Sequence, residues 1–175
     1  MDDLTMLFKP SPATLLIRMA DQTDAAAISA MAIATLRQTK AAECRPAVVE
    51  ALAADFSCEK FRAAMARRKT LVAVMHGAII GTAGLETAKV QAVFVAPDWQ
   101  RQGIGAALLA SVLATHGSRS VTVQTGAKNV PALSLYARAG FLELRRWFVG
   151  REPLELVKLL HTASVNSNEA KNAAA

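Results

Sequence analysis

VFVAPDWQRQGIGAALL, residues 93–109, decides how the rest of the chain is read. It opens as the β-branched and aromatic run of a buried strand and breaks at Pro97. It then gathers Gln100, Arg101, Gln102, Gly103 and Gly105 into six residues before turning apolar at helical spacing. The first turn of a helix leaves backbone N–H groups without intrahelical partners and carries partial positive charge. A glycine-bearing loop entering that turn is therefore able to wrap a phosphate: Gly103 and Gly105 let a ligand reach main chain that a Cβ would shield, and Arg101 adds a formal charge beside it. Taken alone, the two glycines also fit a plain strand-to-helix turn. Two other phosphate loops fail on the residues. A P-loop needs Gly-Lys-Ser/Thr, but Gly105 is followed by Ala-Ala-Leu; a dinucleotide fingerprint needs a third glycine where Leu108 stands, and an acid near Val123, where the chain is apolar.

Upstream of this stretch, residues 14–20 predict a first strand, and Asp21 or Thr23 caps a helix to about Thr39 with Ala27, Ile28, Met31 and Leu36 on its buried face. Pro46 opens a helical pair. From Thr70 the period changes to that of a meander, with strands over 70–75, 78–85 and 89–96. Downstream, a helix over about 103–116 carries Ile104, Ala107, Leu108, Ser111, Val112 and Thr115 on one stripe. A strand over 120–126 follows, then a helix capped by Asn129 and ended by Gly140 as a left-handed C′ residue with Phe141 beyond it, then two closing strands. The element order predicts an α/β (α+β) fold, a mixed, mostly antiparallel sheet of about seven strands with helices on both faces.

The bulk composition narrows the class. A chain of 175 residues that is 53% hydrophobic and 19% charged has length for one domain, expected over 14–161, with a loose arm over 1–13 and a frayed tail over 162–175. Its net charge of +6 comes from Lys and Arg scattered with few aromatics between them, which reads as a solvated surface and speaks against a nucleic-acid partner. Cys44 and Cys58 have no neighbours at metal-ligand spacing, so neither a metal site nor a disulfide framework is expected. The N-terminus is acidic where a signal peptide would be basic, and its apolar run is short, so a cytoplasmic protein without a membrane segment is expected.

Two blocks carry a family resemblance. Gln100-Arg101-Gln102-Gly103-Ile104-Gly105, behind VFVAPDW, resembles the acetyl-coenzyme A loop Gln/Arg-x-x-Gly-x-Gly/Ala of the GNAT N-acetyltransferase family. NVPALSLYARAGF, residues 129–141, resembles that family's Asn-x-x-Ala-x-x-x-Tyr-x-x-x-Gly-Phe helix, in the same order along the chain. The resemblance implies that main chain at Phe94 and Val95 pairs with the pantetheine arm like an added strand, and that the amides from Gln100 to Gly105 bind the pyrophosphate. Asn129 and Tyr136 are two helical turns apart, which predicts that both face one crevice.

The activity implied is direct attack of an amine on the thioester, with a strand amide near Phe94 or Val95 polarising the carbonyl and Tyr136 meeting the departing thiolate. A thiol near pKa ~8.5 and a phenol near ~10 make full proton transfer uphill by about 2 kcal/mol, so a strengthening hydrogen bond is the expected role. Many members carry a glutamate on the fourth strand as base. Here Gln91 stands there, leaving Glu86, Glu43 or water as alternatives. A lysine-like amine is neutral in only about 0.04% of molecules at pH 7, against roughly a tenth for an α-amine, so a low-pKa amine is the expected acceptor. The acceptor pocket is expected from the helical pair around residues 35–62 and the last two strands, with Arg37, Arg45, Arg145, Arg146 and Trp147 as candidates to line it and suit an acidic molecule. Residues 141–149 are apolar enough to hide part of a homodimer contact. An acetyl-coenzyme A sensor without efficient transfer is the alternative reading.

Overall fold

A computed structural model describes residues 14–41, 44–117, 120–150 and 154–162. The expected arm over 1–13, Glu43 and the tail beyond residue 162 lie outside the described residues. The chain runs β1 (Leu16–Met19), α1 (Ala25–Lys40), α2 (Pro46–Ala53), α3 (Cys58–Met65), β2 (Lys69–Met75), β3 (Ala78–Glu86) and β4 (Lys89–Val95). It continues through α4 (Ile104–His116), β5 (Val121–Gly126), α5 (Val130–Arg138), β6 (Leu142–Val149) and β7 (Leu154–His161). The seven strands form one sheet in the order β1-β2-β3-β4-β5-β7-β6, antiparallel everywhere except between β4 and β5. Among the described residues no helix is long and apolar enough to cross a membrane.

Strands β2 and β3 are apolar on both faces because both faces are covered. Alternation sends Leu71 and Ala73 into one cluster with Leu108, Leu109 and Val112 of α4, while Val72 enters a second cluster with Ile28 and Ala32 of α1 and Phe61 of α3. Gly81 permits the close approach of α4: a Cβ there would fall 2.9 Å from Leu108 Cδ1 and 3.1 Å from Phe94 O. The buried stripe of α4 differs from the expected one. Leu109 is fully buried and Thr115 is exposed, its hydroxyl donating to Val112 O at 2.7 Å.

Helix α1 is turned relative to expectation as well. Ala25, Ile28, Ala32 and Leu36 face inward and Ala27 is exposed, because small residues let the helix lie close on β3 and β4. Its entry is a capping box. Asp21 accepts from Thr23 N at 2.7 Å and Asp24 accepts from Asp21 N at 2.9 Å, while Arg18 of β1 grips both oxygens of Asp24. Helix α5 begins at Asn129 and ends at Gly140, whose φ of +85° is the left-handed geometry expected for that glycine.

Candidate active site

Strand β4 leaves its neighbour. It pairs with β5 only at Lys89↔Thr122 and Val90↔Val123, after which the two strands diverge. On its other edge the register to β3 slips between Thr82↔Phe94 and Gly84↔Gln91, so Ala92 and Val93 together oppose Ala83. Ala92 holds a φ of +50° in this bulge, an uncommon conformation for a residue with a side chain. Beyond it, Ala96 N donates to Ile80 O on the β3 side at 2.8 Å. Strand alternation then turns the peptide of Val95, rather than that of Phe94, toward the open gap.

A cavity of about 730 Å³ occupies this gap. Val93, Phe94 and Val95 form one wall, the turn into α4 forms its mouth, and Asn129, Pro131 and Leu135 of α5 and its cap close the far side. Of the residues predicted from the sequence to hold the cofactor, Phe94, Val95, Gln100, Arg101, Gly103, Gly105 and Asn129 line it. Gln102 is exposed, its amide donating to Asp98 O at 3.0 Å, and the side chain of Ile104 is buried in the core. The end of α1, through Thr35, Leu36, Thr39 and Lys40, also lines the cavity, as do Trp99 and Arg138. None of these is among the cofactor-binding residues expected from the sequence, although Trp99 closes the VFVAPDW lead-in and residues 35–40 fall in the segment expected to serve the acceptor.

The mouth is built from main chain. Gly103 is the cap of α4 at a φ of +83°, and Arg101 two residues earlier also has a positive φ, +64°. No side chain caps α4 and no acidic residue stands in its first turn. The helical ladder starts with Ala107 N donating to Gly103 O at 3.0 Å, so the amides of Ile104, Gly105 and Ala106 precede any intrahelical partner. A Cβ on Gly105 would sit 3.4 Å from Leu135 and 3.7 Å from Val95, which shows how narrow the passage is there. Gln100 secures the loop by donating its amide to Val95 O at 2.9 Å. Among the described residues, Lys40, Arg101 and Arg138 line the cavity and no carboxylate does, so the donor set fits a polyanion.

Of Asn129 and Tyr136, expected to face one crevice, Asn129 lines the cavity and Tyr136 does not. Asn129 turns back to cap α5, accepting from Ala132 N at 3.3 Å and donating to Thr125 Oγ1 at 3.2 Å. Tyr136 is 4% exposed and is not among the residues that line the cavity, with its ring 5.6 Å from that of Phe141. Burial raises the Tyr136 pKa well above the ordinary phenol value, so the hydroxyl keeps its proton.

Gln91 stands on β4 just before the bulge and donates to Glu86 Oε2 at 3.0 Å, while Glu86 Oε1 lies 3.5 Å from Arg67 Nε. Of the arginines expected around an acceptor, Arg37 is paired with Glu50 on the surface and Arg146 with Glu143 and Glu155. Arg145 lies over the Trp147 ring, 4.9 Å from its centroid. Neither Arg45 nor any of these lines the cavity.

Residues 66–143 match the family model described as an acetyltransferase (GNAT) domain. Comparison with curated protein sequences finds no match. Among solved structures, the GCN5-related N-acetyltransferase from Rhodopseudomonas palustris is similar at a TM-score of 0.75 and 24% identity, over 85% of this chain and 96% of that one. The paiA N-acetyltransferase from Thermoplasma acidophilum, solved in complex with coenzyme A, gives 0.68 and 17% over 85% and 99%. The structure of yncA from Salmonella typhimurium with its cofactor acetyl-CoA gives 0.62 and 20% over 87% and 96%. With the strand order, the splayed β4 and the uncapped α4 in place, residues 66–143 match a GNAT acetyltransferase domain and the chain as a whole has the fold of these N-acetyltransferases.

Proposed function

We propose that this protein transfers an acetyl group from acetyl-coenzyme A to a primary amine of a small molecule or peptide. The single observation that carries the reading is the opening of β4 away from β5 directly before a helix mouth that no side chain caps. Lys40, Arg101 and Arg138 and the amides of Ile104, Gly105 and Ala106 would hold the phosphates, and the free edge at Val93 and Val95 would hold the pantetheine arm. When bound, the thioester supplies an acyl group activated toward amines. The Val95 amide is the donor positioned to stabilise charge on its oxygen.

The transfer forms an amide C–N bond, breaks the C–S bond and returns one amine proton to the sulfur. Tyr136 serves this last event by offering its hydrogen. Because burial holds its pKa so high, it donates a hydrogen bond to the developing thiolate and keeps its proton. Glu86, tied to Gln91 and Arg67, is the carboxylate nearest to the position where many relatives carry a base; without a glutamate at 91, acceptors of low amine pKa are favoured. A cytoplasmic location belongs to the same reading. So does a homodimer through β6, supported by Leu142, Leu144 and Phe148, exposed on this edge strand, and light scattering checks it.

The test is coenzyme A release across a panel of amines, with the product identified by mass. Acetylated product from at least one amine supports transfer. Tight binding of acetyl-coenzyme A with no product from any amine would favour a sensor instead.

A further inference from the structure

A second cavity, of about 570 Å³, lies on the other flank of the β4 bulge. The two cavities divide β4 between them, with Gln91 and Ala92 lining the second and Val93 to Val95 the first. Phe56 of the second and Phe94 of the first meet edge to face, ring centroids 4.8 Å apart, and form the partition. The second cavity is thus the near neighbour of the bulge on the side that α3 covers.

Its charge is one-sided. Among the described residues, Lys60, Arg67, Arg68 and Lys89 line it against one carboxylate, Asp55, which is bonded to Lys60. Arg67 reaches Glu86 at 3.5 Å, whereas among the described residues Arg68 and Lys89 have no carboxylate within ion-pair distance. Arg68 is also not a loose surface arginine. It is half-buried, its guanidinium carbon lies 5.4 Å from the centre of the Phe61 ring, and its Nε donates to Thr70 Oγ1 at 3.4 Å. Gly84 of β3 makes the room: a Cβ there would fall 3.0 Å from Arg68 Nε and 3.3 Å from Gln91 O. Gly84 is the register partner of Gln91, so Arg68 is held beside the residue preceding the bulge. Burial pulls the Arg68 pKa down against the opposing pull of Glu86, as expected of a cation partly removed from water without a contacting anion. A planar guanidinium fixed in this way is suited to a two-pronged grip on an anionic group.

Resting on the acetyl-coenzyme A reading of the first cavity, we propose that the second cavity receives the acceptor, and that the acceptor is a small primary amine bearing a carboxylate or phosphate held by Arg68 and Lys89. Asp55, Phe56, Lys60 and Phe61 of this cavity fall within the helical pair from which an acceptor pocket is expected, whereas Arg68 and Lys89 are not among the arginines named for it. The experiment uses matched amines: β-alanine against propylamine for a carboxylate, and phosphoethanolamine against ethanolamine for a phosphate. Turnover is read by coenzyme A release, and binding of each amine to the protein–coenzyme A complex is read by calorimetry, so that a preference registers even without turnover. The acidic member of one pair is expected to win by about tenfold or more, and which pair shows it distinguishes carboxylate from phosphate. Arg68→Gln and Lys89→Gln should each raise KM for that amine and erase most of the preference, with acetyl-coenzyme A affinity unchanged; Lys89→Gln keeps the test available should Arg68→Gln disturb packing. Equal or better binding and turnover of the neutral amines, with acetyl-coenzyme A still bound, would overturn the proposal and leave the cofactor site standing. Loss of acetyl-coenzyme A binding itself would remove both.

Discussion

The two cavities flanking the β4 bulge are built from different material. The first is walled by the free edge of β4 and entered past helix amides and two glycines, so its chemistry is that of main chain. The second is walled by the long side chains of Lys60, Arg67, Arg68, Lys89, Gln91 and Gln124, gathered from α3, the turn after it, β4 and β5. Main-chain sites need particular backbone conformations within a few residues, and so leave short patterns with fixed spacing. Side-chain sites need only that distant elements meet, and so leave none. A shared cofactor and an individual acceptor are then served by adjacent spaces under different constraints.

The sharpest way to break this contrast is at Gly103. A valine there must hold a φ of +83° and places its branched side chain at the mouth. Acetyl-coenzyme A affinity should fall by about a hundredfold or more, close to the loss of several charge-assisted hydrogen bonds, while circular dichroism remains that of the folded protein. Retained affinity would mean that the loop amides are not the contact.

Next in size is Tyr136→Phe, expected to lower kcat by about tenfold to a hundredfold with the KM for acetyl-coenzyme A little changed. An unchanged kcat would reduce Tyr136 to its packing against Phe141. This residue is the chain's single tyrosine, so phenolate absorbance reports it directly. In the folded protein its pKa is raised, so the unfolded chain ionises first as the pH climbs. The stability held by the buried neutral phenol is complete below pH ~10 and is lost progressively above it. Native protein should therefore show no phenolate signal near pH 10, and Tyr136→Phe should flatten the alkaline loss of stability measured by urea unfolding. Titration at the ordinary phenol pKa would contradict the burial.

How much was legible follows the same division. Capping at Asn129, the left-handed Gly140 and the meander from 69 to 95 could be read because each rests on local backbone demands. The bulge at Ala92 and Val93 could not: neither glycine nor proline marks it, and only the register with β3 creates it. The buried faces of α1 and α4 differ from the expected ones, since Ala and Leu recur so densely that several stripes fit the helical period and the sheet decides which one is buried. The seven-residue separation of Asn129 and Tyr136 puts both on one helix, but the Asn129 side chain is also taken up in capping α5 and the Tyr136 side chain is buried against Phe141, demands that spacing alone does not reveal. For the cationic side of the second cavity, the basic run Arg67-Arg68-Lys69 at the junction of helix and strand is by composition alone indistinguishable from solvated surface.

The smallest expected effect sharpens the contrast between arginines. Arg37 and Glu50 form an exposed bidentate pair that lines neither cavity, so Arg37→Ala should leave kcat/KM unchanged for every amine and the melting temperature within experimental error. A loss of acidic-amine turnover in Arg37→Ala would place acceptor recognition on α1 instead.

The most direct measurement is a calorimetric titration of the native protein and of Gly103→Val with acetyl-coenzyme A. The native protein should bind one equivalent at about micromolar affinity and the variant should show no saturable heat over the same range. Absence of binding by the native protein at millimolar ligand, or identical isotherms for the two, would contradict the assignment of the α4 mouth as the seat of the cofactor.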